Sequence, residues 1–471
     1  MKELIHMKKQ LTTVVISSFL LTTTLTACGS GGAPKPLEAN ATEAPKTGKT
    51  TVTVSVPTND AFLQDAERLF EEANPNIDID IHAYITTPAG QKQNITIKKP
   101  GGDNTNEADF EKYRTGVNAE LMSGKGTDLI ALETLPYNKY ADKKLLADLD
   151  ELIKKEGSLQ MSDYYTGVLD AVKVGGKTFA MPVNFKMNMT MGNTPLLTEK
   201  GIQIDDSKWT WKEMLDIGLQ AVQSGENANA VWTGMPKVDL ISNMVQSQYS
   251  KLVTGKKASF NTGEFTELLE QVGGMYDKGQ ILEQADMGNA GKDVFKSASM
   301  QTPMEMLFMP QMMYGGKGEV YSTPSDGSNK GGVSFTSNMM FGINEKSKNK
   351  TEALKFLEFL LTENIQAKPG MQGFAVHKAS LEKQLRLSIE QLKSGKMKMM
   401  GPNGATPSAD ISEEQLKSIM DTMAKANIYA AGDPNVMKIV KEETESFFNK
   451  GKSAKDAASM IQNRVTTYLN E

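Results

Sequence analysis

The chain of 471 residues holds a single cysteine, Cys28, and that residue closes a stretch that is first basic and then apolar. With one thiol no internal disulfide can form, so whatever folds is held by its core alone. Lys2, Lys8 and Lys9 make a charged start, Leu11 to Thr26 is a short apolar run diluted by Thr and Ser, and the small residue Ala27 follows. This is the pattern of an export signal, too short and too polar for a membrane span. Residues 1–27 are therefore read as a signal peptide. A thiol directly past the cleavage site stands outside any core, and its use is as an attachment point for lipid. The competing reading is an ordinary signal with an incidental cysteine.

The length suits two domains, each with a sizeable core. Removing the three lysines and one glutamate of residues 1–27 takes the formal charge from -5 to -7. That acidic balance argues against a nucleic-acid partner and against broad adhesion to anionic lipid. The histidines are His6, His82 and His377, the first lost with the signal. Two isolated imidazoles and no free thiol leave little to build a zinc or copper site, so no metal and no cofactor are expected. No Gly-x-Ser-x-Gly turn, His-Glu-x-x-His helix or Walker loop occurs, and an enzyme is not expected.

Residues 28–50 combine the cysteine with a stretch rich in Gly, Pro, Ala, Thr and Lys, which reads as a flexible tether. Thr51 to Val56 then alternates polar and apolar as a half-buried strand does, Ala61 to Ala73 carries apolar residues at helical spacing, and Asn76 to Ile81 alternates again. Strand, helix, strand in that order needs a right-handed crossover and predicts an α/β lobe with a largely parallel sheet. Gln91 to Asn106 reads as a polar loop or hairpin insertion, Phe110 to Met122 as a helix, and Asp128 to Leu132 as a buried strand. Tyr137 to Leu152 reads as helical turns, Val174 to Thr178 as a hairpin turn, Thr178 to Pro182 as a strand, and Thr210 with Glu213 as a capping box that starts a helix.

Several segments, in order, carry a family resemblance. They are Asp128 to Glu133 with Tyr140 and Leu145 to Leu149, Gly175 to Pro182, Trp209 to Glu213, Phe260 to Phe265, Gly342 to Lys350 with Ala353 to Leu360, and the closing run Phe447 to Glu471. Together they resemble the extracellular solute-binding proteins of ABC importers, carbohydrate type, the group of maltose-binding protein. Leu25-Thr26-Ala27-Cys28 likewise resembles the lipobox of bacterial lipoproteins, which implies cleavage before Cys28 and its acylation. The resemblance implies a periplasmic-binding-protein-like fold: two α/β lobes joined by a hinge with three crossings, lobe one holding residues 51–183 plus 335–377 and lobe two 184–334 plus 378–471. It also implies a monomeric, non-enzymatic receptor on the outer face of a Gram-positive membrane, handing a sugar or oligosaccharide to ABC permease subunits. A receptor for a non-sugar solute or peptide, or a sensory lipoprotein feeding a membrane kinase, are the alternatives.

In such sheets ligand lies beyond the carboxyl ends of strands, so the candidates stand just after strands and at crossings. Asn59 and Asp60 follow the first strand, with capping of the next helix as their competing role. Glu133 ends the Asp128 strand, where a carboxylate can take two sugar hydroxyls. Asn184 and Asn188 flank the first crossing, with hinge packing as the alternative. Trp232 offers a face for stacking on a pyranose, or is core. Glu305 and Phe308 resemble a contact segment of lobe two; Phe335 and Asn338 lie at the second crossing. Trp209 and Trp211 are read as structural. The chain has 29 Met and only three Trp, so methionines either line an adaptable cleft or fill a core in place of Leu.

Overall fold

Alternation along Thr50–Val56 puts Val52, Val54 and Val56 inside, and the helix Ala61–Ala73 lays Phe62, Leu63, Ala66 and Phe70 over them. The computed structural model describes residues 48–85, 105–223, 230–285, 291–327, 331–368, 370–396 and 410–471. The signal, Cys28 and nearly all of the tether fall outside these residues, as does most of the expected insertion from Gln91 to Asn106.

A five-stranded sheet runs in the order Ile77–Ala83, Thr50–Val56, Leu129–Ala131, Met340–Ile343, Met181–Pro182. The first three strands are parallel, and the helices Ala61–Ala73 and Thr105–Ser123 lie between them in sequence. Met340–Ile343 returns antiparallel and closes the sheet against Met181–Pro182.

Two local readings change. The helical turns expected from Tyr137 to Leu152 split into Tyr137–Asp142 and Leu149–Glu156: Lys144 takes a positive φ of 54°, and Asp148 caps the second helix through the amides of Asp150 and Glu151. The strand expected from Thr178 shrinks to Met181–Pro182 because Asp150 binds both the Thr178 amide (2.9 Å) and its hydroxyl (2.8 Å). The capping box at Thr210 forms, with the Glu213 carboxylate accepting from the Thr210 amide at 2.7 Å, and starts the helix Trp211–Gln223.

The second sheet has eight strands. Its spine is Ala426–Tyr429, Val333–Thr336, Asn184–Asn193, Asp293–Met300, Ala230–Thr233 and Ile281–Leu282; Gly318–Ser322 and Phe374–Ala375 also pair with Asn184–Asn193. That long strand alternates strictly. Met187, Met189 and Met191 point to one face and join Ala298, Met300, Met304, Phe308, Phe335 and Leu381 in one buried cluster that continues into the five-stranded half. Lys186, Asn188 and Thr190 point to the other. The methionines therefore fill a core. A second cluster, around Trp209, Trp211, Trp232 and Phe265, lies under the helices Trp211–Gln223, Gly263–Asp277, Pro434–Phe448 and Ala454–Asn470.

The chain passes between the sheets three times: at Val183, between Thr336 and Met340, and between Gln366 and Phe374. Two buried amides fasten these passages. Asn184 donates to the Gln372 carbonyl (2.5 Å) and accepts from the Asn338 amide (3.3 Å), while Gln366 donates to the Val183 carbonyl (2.7 Å) and accepts from the His377 amide (3.0 Å). Gly373 has φ 92°, and a Cβ there would stand 2.9 Å from the Phe185 carbonyl, so the third passage tolerates only glycine. The result is a two-lobed α/β fold with a three-stranded hinge.

Candidate functional site

The register of the five-stranded sheet decides what meets at its edge. Val54 pairs in parallel with Leu129 and Ser55 with Ile130, so the two strands leave the sheet together and deliver Asn59 and Asp60 beside Glu133 and Thr134. Phe341 pairs antiparallel with Ala131, which brings the incoming Asn338 to that same carboxyl edge. Four oxygens there are sealed from solvent and lack any hydrogen-bond partner: Asn59 Oδ1, Glu133 Oε2, Thr134 Oγ1 and Asn338 Oδ1. An unpaired buried polar group costs about 1–3 kcal/mol, so native proteins keep few of them and rarely several together. An edge that carries four is a candidate site for donors it does not itself supply.

The electrostatics agree. Burial, together with the nearby charge of Asp60, pushes the Glu133 carboxyl up to about 7, against the opposing pull of its own backbone N–H and that of Met340. Near neutrality Glu133 is thus divided between an acid that donates and a carboxylate that accepts. Asp60 caps the helix Ala61–Ala73 by accepting from the Leu63 amide at 2.9 Å, and burial still raises its pKa. Asn59 is held by its carbonyl, which accepts from Gln64 at 3.0 Å and leaves the side-chain oxygen unused.

The eight-stranded sheet contributes its polar face. Asn188 stands opposite Ser299, Thr190 opposite Ser297, and Lys186 opposite Thr336. Ser297 and Ser299 are exposed, and the Ser334 hydroxyl is buried without a partner. Asn188, Ser297, Ser299, Ser334 and Thr336, with Ala430 and the helix Lys237–Ser247, line a cavity of about 170 Å³. Beside Ala430, at the end of its strand, Tyr429 packs its ring 5.5 Å from Phe335 and 6.5 Å from Tyr137 of the other half. Tyr429 thus packs against the apolar cluster, and burial, with Tyr137 and Glu133 near it, raises its phenol well above the ordinary range. The halves also touch where Lys139 donates to the Tyr468 carbonyl at 2.7 Å and lies 3.8 Å over its ring.

The remaining candidates are placed otherwise. Trp232 is 1% exposed and stacks on Trp211 at 6.5 Å and 19°, so its faces belong to the core. Phe308 and Phe335 are wholly buried, Phe335 backing Tyr429. Glu305 completes a capping box, its carboxylate accepting from the Gln301 and Thr302 amides while its own amide donates to Thr302. Asn184 has both ends of its amide engaged at the hinge. Asn59, Glu133 and Asn338 keep unpartnered buried oxygens at the carboxyl edge, Asp60 caps the helix beside them, and Asn188 lines the cavity of the eight-stranded sheet.

Thr134, Lys186, Ser299, Thr336 and Tyr429 escaped the sequence reading. A signal for Lys186 and Ser299 exists in the alternation of Lys186 to Thr190 and of Ser297 to Met300, which marks strands with one polar face.

A larger cavity, about 360 Å³, lies beneath Trp211, Leu252, Phe265 and Leu268, between helices. No crossing and no carboxyl end of the five-stranded sheet reaches it. Among the described residues no group of three or more His, Cys, Asp or Glu is disposed to hold a metal ion, and no helix is long and apolar enough to cross a membrane.

Solved structures share this architecture. The sugar-binding protein MalE of Xanthomonas citri matches with a TM-score of 0.57 at 17% identity, over 89% of this chain and 98% of that one. A substrate-binding protein of Listeria monocytogenes, solved in complex with cycloalternan, gives 0.55 at 16%, over 90% and 99%. The cyclic alpha-maltosyl-1,6-maltose binding protein of Arthrobacter globiformis gives 0.55 at 18%, also over 90% and 99%. Likeness at such identity speaks for the fold. The family described as bacterial extracellular solute-binding protein matches residues 55–367, two thirds of the sequence, and the chain belongs to it.

Proposed function

We propose that this protein is the capture component of an ABC importer, holding a sugar or oligosaccharide between its lobes and presenting it to the permease by hinge closure. The observation that carries the reading is the set of four unpartnered oxygens at one sheet edge, together with a hydroxyl-bearing sheet face on the other half. Saccharide hydroxyls both donate and accept, so one ligand satisfies both sides. Contacts from both halves reward the closed form over the open one, and that difference in affinity drives the motion. The sugars named with the Listeria and Arthrobacter structures support the ligand class.

In this reading the lobes follow residues 51–183 with 335–377 and the remainder, no bond is made or broken, and acyl chains on Cys28 hold a monomeric receptor at the outer face of the membrane. Calorimetry of the mature chain against mono- and oligosaccharides tests it, with small-angle scattering to follow closure. At least one saccharide is expected to bind tightly and contract the molecule. Failure of every saccharide, with binding of peptides or other amphiphiles instead, removes the carbohydrate assignment. For the anchor, Cys28→Ala is expected to release the protein into the medium; unchanged membrane retention contradicts it.

A further inference from the structure

Lysines in this protein are rarely left alone once water is partly removed from them. Lys173, Lys237, Lys296, Lys350, Lys368 and Lys452 are half-buried, and each reaches a carboxylate. Lys139 has the Tyr468 carbonyl and ring, and Lys200 has Glu199.

Lys186 breaks the pattern. It is half-buried, and among the described residues its ammonium has neither an ion pair nor a hydrogen bond. Its strand position is equally specific. On Asn184–Asn193 it shares a face with Asn188, two residues on, and it stands directly across from Thr336; both neighbours line the polar cavity of the eight-stranded sheet. It lies three residues beyond Val183, where the chain first crosses between the sheets. Burial depresses its pKa, and the one charge that acts on it, that of Glu305, is already bound to two backbone amides. A half-buried cation beside a polar cavity, with no ion pair of its own, lowers its energy by meeting an anion.

From this juxtaposition we infer that the cleft selects a saccharide bearing an anionic group, a uronic-acid carboxylate or a sulfate ester, whose charge sits on Lys186 while its hydroxyls satisfy Asn59, Glu133, Thr134 and Asn338. A single lysine with hydroxyls around it matches one anionic group on an otherwise neutral chain of sugars, and binding a neutral saccharide would leave the ammonium uncompensated. The inference rests on the saccharide reading above and sharpens it to a substrate class.

The experiment titrates the mature chain with oligosaccharides carrying a single uronic acid, their carboxyl-reduced neutral twins and a singly sulfated oligosaccharide of the same length, at low and high salt. Expected is at least a tenfold preference for one anionic form over its neutral twin, shrinking as salt rises. Lys186→Met is expected to erase that preference and Lys186→Arg to keep most of it, with melting curves showing that both variants fold. The uronate and sulfate arms tell which anion is read. A neutral twin that binds as tightly as either anionic form, or a preference that survives Lys186→Met, overturns the inference while leaving the saccharide receptor intact. Binding of none of these probes, nor of any neutral sugar, overturns both.

Discussion

The two sheets handle polar groups in opposite ways. In the five-stranded sheet Val52, Val54, Leu129, Ile130 and Phe341 are fully or almost fully buried, and the unpartnered oxygens stand just past the strand ends. The eight-stranded sheet is built on a ten-residue strand whose faces differ, one packed with methionine and the other bearing Lys186, Asn188 and Thr190. One half offers a rim of acceptors and the other a surface. In the proposed reading a ligand between them meets fixed points on one side and latitude on the other, which suits one whose ends vary more than its centre.

The sharpest way to break this division is to treat a core residue as though it were a ligand group. Trp232→Ala is expected to cost about 3–5 kcal/mol of folding stability, the range for buried aromatic truncations, while molecules that stay folded keep their saccharide affinity. Denaturant melts paired with calorimetry read both quantities; loss of affinity at unchanged stability would move Trp232 into the groove. At the rim the order reverses. Glu133→Ala is expected to weaken binding about a hundredfold, near 3 kcal/mol, because the ligand's donors lose their buried acceptor. Stability should not fall, since a sealed and unpaired oxygen is removed.

The pH dependence of Glu133 has a definite sign. Its folded pKa, about 7, lies above the ordinary 4.5, so between those values the native state holds a proton that the unfolded chain has released. Its contribution to stability is whole below pH 4.5 and drains away as pH climbs to about 7, by on the order of 3 kcal/mol at about 1.4 kcal/mol per unit. Glu133→Gln should flatten that part of the stability profile measured from pH 4 to 8; an unaltered slope would mean that the carboxyl is not buried as described. The surface side should respond most gently. Ser299→Ala is expected to change affinity by no more than about tenfold, the worth of one hydrogen bond of about 1 kcal/mol among several, and a loss as large as that from Glu133→Ala would erase the contrast between rim and surface.

Much of the architecture was legible because strands announce themselves by alternation: Thr51 to Val56 and the helix after it stand where the pattern put them. Position after a strand likewise pointed to Asn59, Glu133 and Asn338. What escaped was set by partners distant in sequence. Nothing local to Thr178 shows that Asp150 takes its amide and hydroxyl and ends the expected strand, and nothing near Asn184 shows that Gln372 and Asn338 engage its amide. Glu305 was misread through a local device, since Thr302 three residues before it is itself a capping signature. Tyr429 meets Phe335 only because its strand joins Val333–Thr336 from almost a hundred residues away, a pairing that no periodicity encodes.

Amide hydrogen exchange of the mature chain, with and without a saturating saccharide, tests the central claim most directly. The account predicts new protection in two separated sets of segments, residues 59–60, 133–134 and 337–339 on the rim and residues 186–188, 297–299 and 334–336 on the polar face. Protection confined to one set, or centred on the cavity beneath Trp211 and Phe265, would contradict a ligand gripped from both halves.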